Sequence, residues 1–336
     1  AQNPPDTENL IEIEGDPYDF KKLLAATQAA LRLRKPIFEP AFEHRNAFAR
    51  PDILNPVGSD LWDIIEVKGA TSVKEVYLHD IALQRYTYEG AGLNIRKTIL
   101  LLINNQYIRK GIIDPESFYL QEDVTSAVSE LLSGVEGNLD RLTAIIKLKN
   151  CPDAAIGTHC TYPYECPLKY HCWDFLPESN PTTLVRISSE RAFQLIGDGI
   201  VDIRKLADDV PLSDKQLIQV NTLRTNRPHI DQGRIREFLQ TLAYPLYLLD
   251  FETFQTSIPL FDGTRPFQQI PFQFSLHVIQ KEEDNPVHYF HLADGKDDPR
   301  KEVLHKLVGL LEEKGSIVCY NASFERGVLK NLAASF

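Results

Sequence analysis

The chain has 336 residues and a formal net charge of −11 at pH 7, from 36 Lys and Arg against 47 Asp and Glu, with 43% hydrophobic and 25% charged residues. That balance belongs to globular chains and excludes wholesale disorder and fibrous classes; the acidity excludes a protein that coats nucleic acid by bulk positive charge. No apolar run approaches the roughly 18 residues of a membrane span, and no secretory leader is visible, so the expectation is about two domains in the cytoplasm with no membrane partner.

In chain order, residues 1–17 are acidic and Pro-rich and read as a poorly held end. Phe20–Leu33 has helical apolar spacing. Ile37–Phe42, Ala49–Leu54 and Leu61–Val67 are short apolar runs divided by Pro, Asn and Gly, and read as strands of one small sheet. Lys74–Ala91 predicts a helix closed by Gly92, Thr98–Ile103 a strand, and Glu122–Leu148 one or two helices. Cys151–Trp173 lacks periodicity and reads as a loop held by something other than a core. Arg191–Leu223 predicts short helices, with Gly197 and Gly199 between them. Tyr244–Asp250, Gln269–His277 (with Phe272–Ile279), Val287–Leu292 and Ser316–Tyr320 read as strands, Pro299–Lys314 and Phe324–Ala334 as helices. The order is α/β twice, with a Cys-rich loop and helices between. Methionine is absent and the first residue is Ala, so the expectation is a fragment, with spacings short by a residue or more where methionines were lost.

Three constellations carry chemistry. In the first, Glu66-Val67-Lys68 lies near the end of a hydrophobic strand. Residues two apart share a strand face, so Glu66 and Lys68 point together and Val67 points into the core. Asp52 closes a preceding strand fourteen residues earlier, a hairpin's separation, which brings it beside Glu66. Two carboxylates suit Mg²⁺ or Mn²⁺, and a lysine beside them suits charge developing on a phosphodiester. A surface ion pair between Glu66 and Lys68 is the alternative. Gln84 and Tyr88, four apart on the following helix, share one face within reach of a phosphate or base.

Asp52, Glu66-x-Lys68 and Gln84-x-x-x-Tyr88 together resemble the PD-(D/E)xK nucleases of the RecB and Cas4 type. The resemblance implies a restriction-endonuclease-like domain in which Asp52, Glu66 and the Val67 carbonyl hold the metal. It makes Lys68 catalytic and gives Gln84 and Tyr88 a supporting role. Glu39, Glu43 or His44 would supply a further ligand, with solvated loop residues as the alternative for Glu43 and His44.

In the second constellation, Cys151, Cys160, Cys166 and Cys172 follow a C-x8-C-x5-C-x5-C spacing inside 22 residues. This differs from the paired C-x2-C of zinc ribbons and, without a secretion signal, from a disulfide scaffold. The segment from His159 to Trp173 resembles the cysteine group that RecB-like nucleases carry after the nuclease core. It implies a structural 4Fe–4S cluster on the four cysteines, with Cys151 the least secure ligand. Zinc on Cys with His159 or His171 stays open, as do four free thiols.

In the third, the strand Leu248–Thr253 ends in Asp250-x-Glu252, two carboxylates on one face. It resembles motif I of the DEDD exonucleases, which have an RNase H-like fold and bind metal through that pair. Val318–Glu325 resembles their second motif, with Glu325 where Asp is usual. The third motif is not reached by Phe336, so a partial domain is implied. Asp250 and Glu252 facing water is the alternative; Cys319, His277 and His291 read as structural.

Most of the chain resembles the DUF2779 family. That implies a PD-(D/E)xK domain over 18–175 with its cysteine group at 151–173, a helical connector over 176–240, and a partial RNase H-like domain over 241–336. Gln194–Leu206 resembles small DNA-binding helical hairpins, with a plain connector equally open. The expected activity is metal-dependent hydrolysis of DNA, in preference to RNA, with single-stranded ends as substrate. The alternative is a non-catalytic nucleic-acid-binding or assembly module with degenerate sites. A redox role for the cluster is the weakest of the three classes.

Overall fold

Residues 10–336 are described by a computed structural model. They form a mixed α/β fold with three sheets. By contact density the chain divides into one unit of residues 1–144 with 242–336 and a second of residues 145–241. The cysteine-bearing segment, which the sequence attaches to the first domain, thus groups with the helices that follow it.

The first unit opens with β1 (Ile11–Glu12), α1 (Phe20–Leu31), β2 (Ile37–Phe38), β3 (Phe42–His44), β4 (Ala47–Ala49), β5 (Ile53–Val57), β6 (Leu61–Lys68), α2 (Glu75–Gly90), β7 (Asn94–Ile103), α3 (Pro115–Phe118), β8 (Tyr119–Asp123) and α4 (Thr125–Ile146). Six strands make one sheet in the order β1-β2-β5-β6-β7-β8. β5 and β6 are an antiparallel hairpin in which Ile53 faces Ile65. β6 and β7 are parallel, which requires the crossover that α2 supplies. Three corrections to the sequence reading follow. β3 and β4 form a separate two-stranded hairpin rather than joining the main sheet. Tyr119–Asp123 pair with β7, so Glu122 and Asp123 end a strand instead of starting the helix. Ile11 and Glu12 pair parallel to β2, and Ile13 is buried, so apolar residues tie down the later part of the acidic terminus; residues 1–9 lie outside the described residues.

The first core lies between this sheet and its helices, with Leu23, Leu54, Ile64, Ile81, Leu100 and Leu102 almost fully buried. Each such side chain contributes roughly 1.5–3 kcal/mol by leaving water. Trp62 and Ile64 set the phase of β6. Glu66 and Lys68 continue that inward phase, Glu66 being 6% exposed, whereas Val67 is on the other face and 36% exposed. The expectation that Val67 enters the core is therefore reversed. Arg34 locks the β5–β6 turn: its guanidinium sits 4.2 Å from the Trp62 ring and donates to the carbonyls of Val57, Gly58 and Leu61.

The unit resumes with β9 (Leu246–Phe254), β10 (Ile270–Ile279), β11 (Val287–Leu292), α9 (Arg300–Val308), β12 (Ser316–Val318) and α10 (Ala322–Ser335), which follow helices α5 to α8 of the second unit. The sheet order is β11-β10-β9-β12, an antiparallel meander with β12 parallel to β9. One face buries Tyr247, Leu249, Phe251, Phe274, Leu276 and Val278 against Val303, Leu307, Val328 and Leu332. The other face is open: Leu248, Phe290 and Leu292 are exposed. Gly315 precedes β12 with φ +105°, and a Cβ there would stand 2.3 Å from the Pro245 carbonyl oxygen, so only glycine lets β12 start this close to β9.

The two halves of this unit are joined by the loops at residues 104–112 and 258–267. Arg109 donates to the carbonyls of Pro259 (2.8 Å) and Leu260 (2.7 Å), and the Gly111 amide donates to Asp262 (2.7 Å). Backbone bonds run both ways, from Arg109 to Thr264 and from Gly263 to Arg109. Phe267 packs on Ile103, Tyr107 and Phe118.

The second unit contains α5 (Lys169–Cys172), α6 (Ser189–Gly197), α7 (Asp214–Thr225) and α8 (Gln232–Gln240) with three 3-10 turns. Its small core is Leu184, Leu195, Ile203, Leu206 and Val220. Gln219 fastens the segment before α6 through Thr183 and Val185.

Candidate active site

The hairpin brings the first constellation together. Asp52 immediately precedes β5 rather than closing a strand, one step beyond the Ile53–Ile65 pair, which sets it opposite Glu66. Its backbone amide donates to Glu66 Oε2 (3.3 Å), and its Oδ2 accepts from the Val67 amide (2.6 Å). Lys68 Nζ lies 2.8 Å from Glu66 Oε1 and 2.7 Å from Asp80 Oδ2. Gln84 Nε2 donates to Glu66 Oε2 (3.0 Å). Glu66 is thus held from three sides.

Electrostatics follow from this geometry. Burial pushes the Glu66 carboxyl above its ordinary range, and Asp52 beside it pushes the same way, against the Lys68 and Gln84 bonds. Burial also raises Asp52, opposed by the Val67 amide and helped by Glu39. Burial alone would lower the Lys68 amine, but its bonds to Asp80 and Glu66 outweigh this and hold it above the lysine range. Lys68 is therefore a fixed positive charge at working pH, not a base.

Tyr88 is placed differently from the expectation. It is fully buried against Phe42, ring centroids 4.6 Å apart, beneath the site instead of open to a base. Its hydroxyl has no partner, nor does Gln84 Oε1. Burial, then Glu66, Asp80, Asp52 and Glu39, push the Tyr88 phenol well above its usual value. Glu39 acts on both this phenol and Asp52, which makes it the upstream acid whose charge reaches the pair. Glu39 is held by Arg50 (3.4 Å). Glu43 is exposed. His44 packs edge-on to Tyr86 and against Gly90, where a Cβ would meet its ring at 2.3 Å. Gly90 lies at the end of α2, six residues or about 9 Å beyond Gln84, so His44 packs on the end of the helix remote from Asp80.

Asp80 escaped the sequence reading. The signal was present: Asp80, Gln84 and Tyr88 recur every four residues on one face of α2.

The oxygen donors of Asp52, Glu66 and the Val67 carbonyl suit a hard divalent cation, and a buried Glu66 raised further by a part-buried Asp52 is a setting a cation would relieve.

In the third constellation Asp250 and Glu252 share the open face of β9 and are both exposed. Glu325, in the first turn of α10, is buried at 3% exposure, and its Oε2 lacks a partner. Burial, then Glu325 and Asp250, raise the Cys319 thiol, so these two acids flank it. Asp250 lines a cavity of about 570 Å³ with Ser275, His277, Cys319 and Tyr320. His277 stacks on His288 at 4.3 Å, and His291 is buried.

In the second unit the cysteines fall into two pairs. The Cys166 amide donates to the Cys160 carbonyl (2.9 Å), and Cys151 and Cys172 line one cavity of about 450 Å³ beside His171. All four are free thiols. Among the described residues, no three His, Cys, Asp or Glu side chains stand close enough to share one ion. Four thiols on one short segment are nonetheless a soft donor set of the kind iron or zinc takes. No helix among the described residues is long and apolar enough to cross a membrane.

Residues 247–336 match the model of a family described as a domain of unknown function, DUF2779. No match was found among the curated proteins.

Proposed function

We propose that this chain is a metal-dependent nuclease that hydrolyses phosphodiester bonds of DNA, single-stranded ends above all, and that its first half is a PD-(D/E)xK domain of RecB type. One observation carries the reading: the Lys68 amine is held between Glu66 and Asp80, with Asp52 set opposite Glu66 across the hairpin. Asp52, Glu66 and the Val67 carbonyl would hold Mg²⁺ or Mn²⁺, which would supply positive charge for the phosphodiester and for water beside it. Lys68, protonated throughout, stabilises negative charge that develops on the phosphate oxygens. Gln84 fixes the rotamer of Glu66, and Asp80 aims the amine. Tyr88 fills the space below the pair and excludes water.

In the same reading the last segment is RNase H-like, and the antiparallel β11-β10-β9 run with β12 parallel to β9 supports that assignment. The exposure of Asp250 and Glu252 favours a strand-binding rather than a cleaving role there. Cys151, Cys160, Cys166 and Cys172 are proposed to hold a structural 4Fe–4S cluster, or zinc. Anaerobic purification followed by metal analysis and a visible spectrum separates the two.

The test is Mg²⁺- or Mn²⁺-dependent cleavage of labelled single- and double-stranded DNA by the wild type and Lys68→Ala. The variant is expected to lose about 10²–10³ in rate, the scale of one transition-state donor. Equal cleavage by both proteins would remove Lys68 from the reaction, and binding without cleavage by either would favour the non-catalytic module.

A further inference from the structure

A second polar cavity of about 490 Å³ opens immediately beyond Lys68. Its wall starts at Gly69 and includes Thr71, Ser72, Lys74, Asn105, Gln106 and Arg265. Two features build it. The loop after β6 is pinned by the Ala70 amide to the Lys68 carbonyl (2.7 Å) and by the Ile103 amide to the Ala70 carbonyl (2.9 Å). The facing loop is pinned by the Phe267 amide to Thr256 (2.8 Å) and by the Arg265 amide to Gln268 Oε1 (3.2 Å).

The charge on this wall is unusual for a chain of net −11. Lys74 and Arg265 are both exposed, and among the described residues neither joins an ion pair. Glu75, next to Lys74, faces His79 instead, 3.9 Å away. Lys74 is also the N-cap of α2 and makes no side-chain cap bond, so the first amides of a sixteen-residue helix lack a side-chain acceptor beside the cavity. Two cations outside any ion pair, Lys74 with its amine 5.7 Å from the Tyr77 ring centroid, together with an uncapped helix start and hydroxyl and amide donors, suit a tetrahedral dianion or a phosphodiester.

We propose that this cavity binds a phosphate of the nucleic-acid strand next to the one at Lys68, making Lys74 and Arg265 the residues that fix the strand's register at the cleavage site. The proposal rests on the nuclease reading. The Lys68 and Lys74 amines share one aromatic ring, 5.5 and 5.7 Å from the Tyr77 centroid, so a strand engaged at Lys68 comes within reach of the cavity that Lys74 lines. Arg265 comes from the far half of the unit, so the site is complete only when the loops at 104–112 and 258–267 are clasped.

The experiment measures binding of a fluorescein-labelled single-stranded oligodeoxynucleotide, with and without a 5′-phosphate, in EDTA across a salt series. Wild type, Lys68→Ala, Lys74→Ala/Arg265→Ala and a surface control, Lys281→Ala, are compared, with inorganic phosphate as a separate titrant followed by thermal shift. The double variant is expected to bind both oligonucleotides at least about tenfold more weakly. The slope of log K against log salt is expected to fall by about 0.7, one phosphate of a single strand. Both substituted side chains are exposed, so melting is expected to stay within the range of ordinary surface changes. An unchanged affinity and slope would overturn the proposal, as would a double variant that loses only the response to inorganic phosphate, which would mark a free-phosphate site. If wild type cleaves and Lys68→Ala does not, but the double variant binds normally, this inference fails alone; if wild type binds no strand, the nuclease reading fails.

Discussion

The unit formed by residues 1–144 and 242–336 carries two acidic constellations built from the same sequence device, two charged residues with one residue between them near the end of a hydrophobic strand, and they come out differently. At Glu66 and Lys68 the pair follows the inward phase of its strand and lies against α2, where Gln84 and Asp80 hold both side chains. At Asp250 and Glu252 the pair lies on the outward phase, on the face that no helix covers, and neither residue has a cationic partner among the described residues. Side chains that are buried and cross-braced are aimed before substrate arrives, so the first constellation needs little reorganisation. The second must be ordered by whatever binds it. A D-x-E pattern alone therefore does not make a formed site; the phase of the strand and the helix above it do.

The contrast can be broken most directly by paired substitution. Asp52→Asn or Glu66→Gln is expected to reduce divalent-dependent DNA cleavage by about 10³ or more, while Asp250→Asn with Glu252→Gln costs less than about tenfold, or about 1.4 kcal/mol. Gel assays on end-labelled strands read both. A larger loss from the second pair would reverse the assignment of the two sites. In stability, Leu276→Ala beneath the second sheet is expected to cost about 2–5 kcal/mol by urea unfolding, and Leu292→Ala on its open face about 0.5 kcal/mol or less. An equal cost at Leu292 would mean that the open face is covered in solution.

Asp80→Asn tests the bracing itself. It removes a half-exposed partner of Lys68, so roughly fivefold in kcat is expected, about 1 kcal/mol, with KM for the strand unchanged. Acid titration sharpens the other side. His291 is buried beneath α9, and burial, then Lys306, lower its pKa from the ordinary 6.5, with Glu302 opposing. The folded form then binds that proton less readily than the unfolded chain, so stability is retained above pH 6.5 and falls as pH drops through it. His291→Gln is expected to flatten that part of the stability–pH curve, read by denaturant midpoints. The smallest effect belongs to Tyr88→Phe. Its hydroxyl is buried without a partner, so losing it is expected to leave stability unchanged or raise it by about 1 kcal/mol. A marked loss would reveal a partner for the phenol.

Much of the fold was readable because strands and helices keep distinct periods. Val287–Leu292 and the helix over α2 emerge from the pattern at or near their true bounds. Asp52 and Glu66 were paired correctly from hairpin distance alone. The phase of β6 was misread because Val67 is apolar and Glu66 is not; only the packing of Trp62 and Ile64 shows which face is inward. α8 was missed since none of its residues is buried, leaving composition without a core to confirm it. Asp80 was passed over although its four-residue spacing to Gln84 marked the shared face; what the helix alone does not name is its partner, Lys68, on another element. The joining of 104–112 to 258–267 rests on an arginine gripping carbonyls some 150 residues away, and backbone oxygens have no sequence signature.

That long-range grip has a consequence for biogenesis. Arg109 emerges from the ribosome well before the carbonyls it holds, and all of Ile145–Thr241 must be made in between. At about 5–20 residues per second, the 150 residues that separate Arg109 from those carbonyls mean a wait of roughly 8–30 s, far longer than local helices and hairpins need to form. The nascent amino-terminal sheet therefore stands with its loop at 104–112 unclasped while the cysteine-bearing helices are still being translated, which makes this interval the stage at which a chaperone would be most needed.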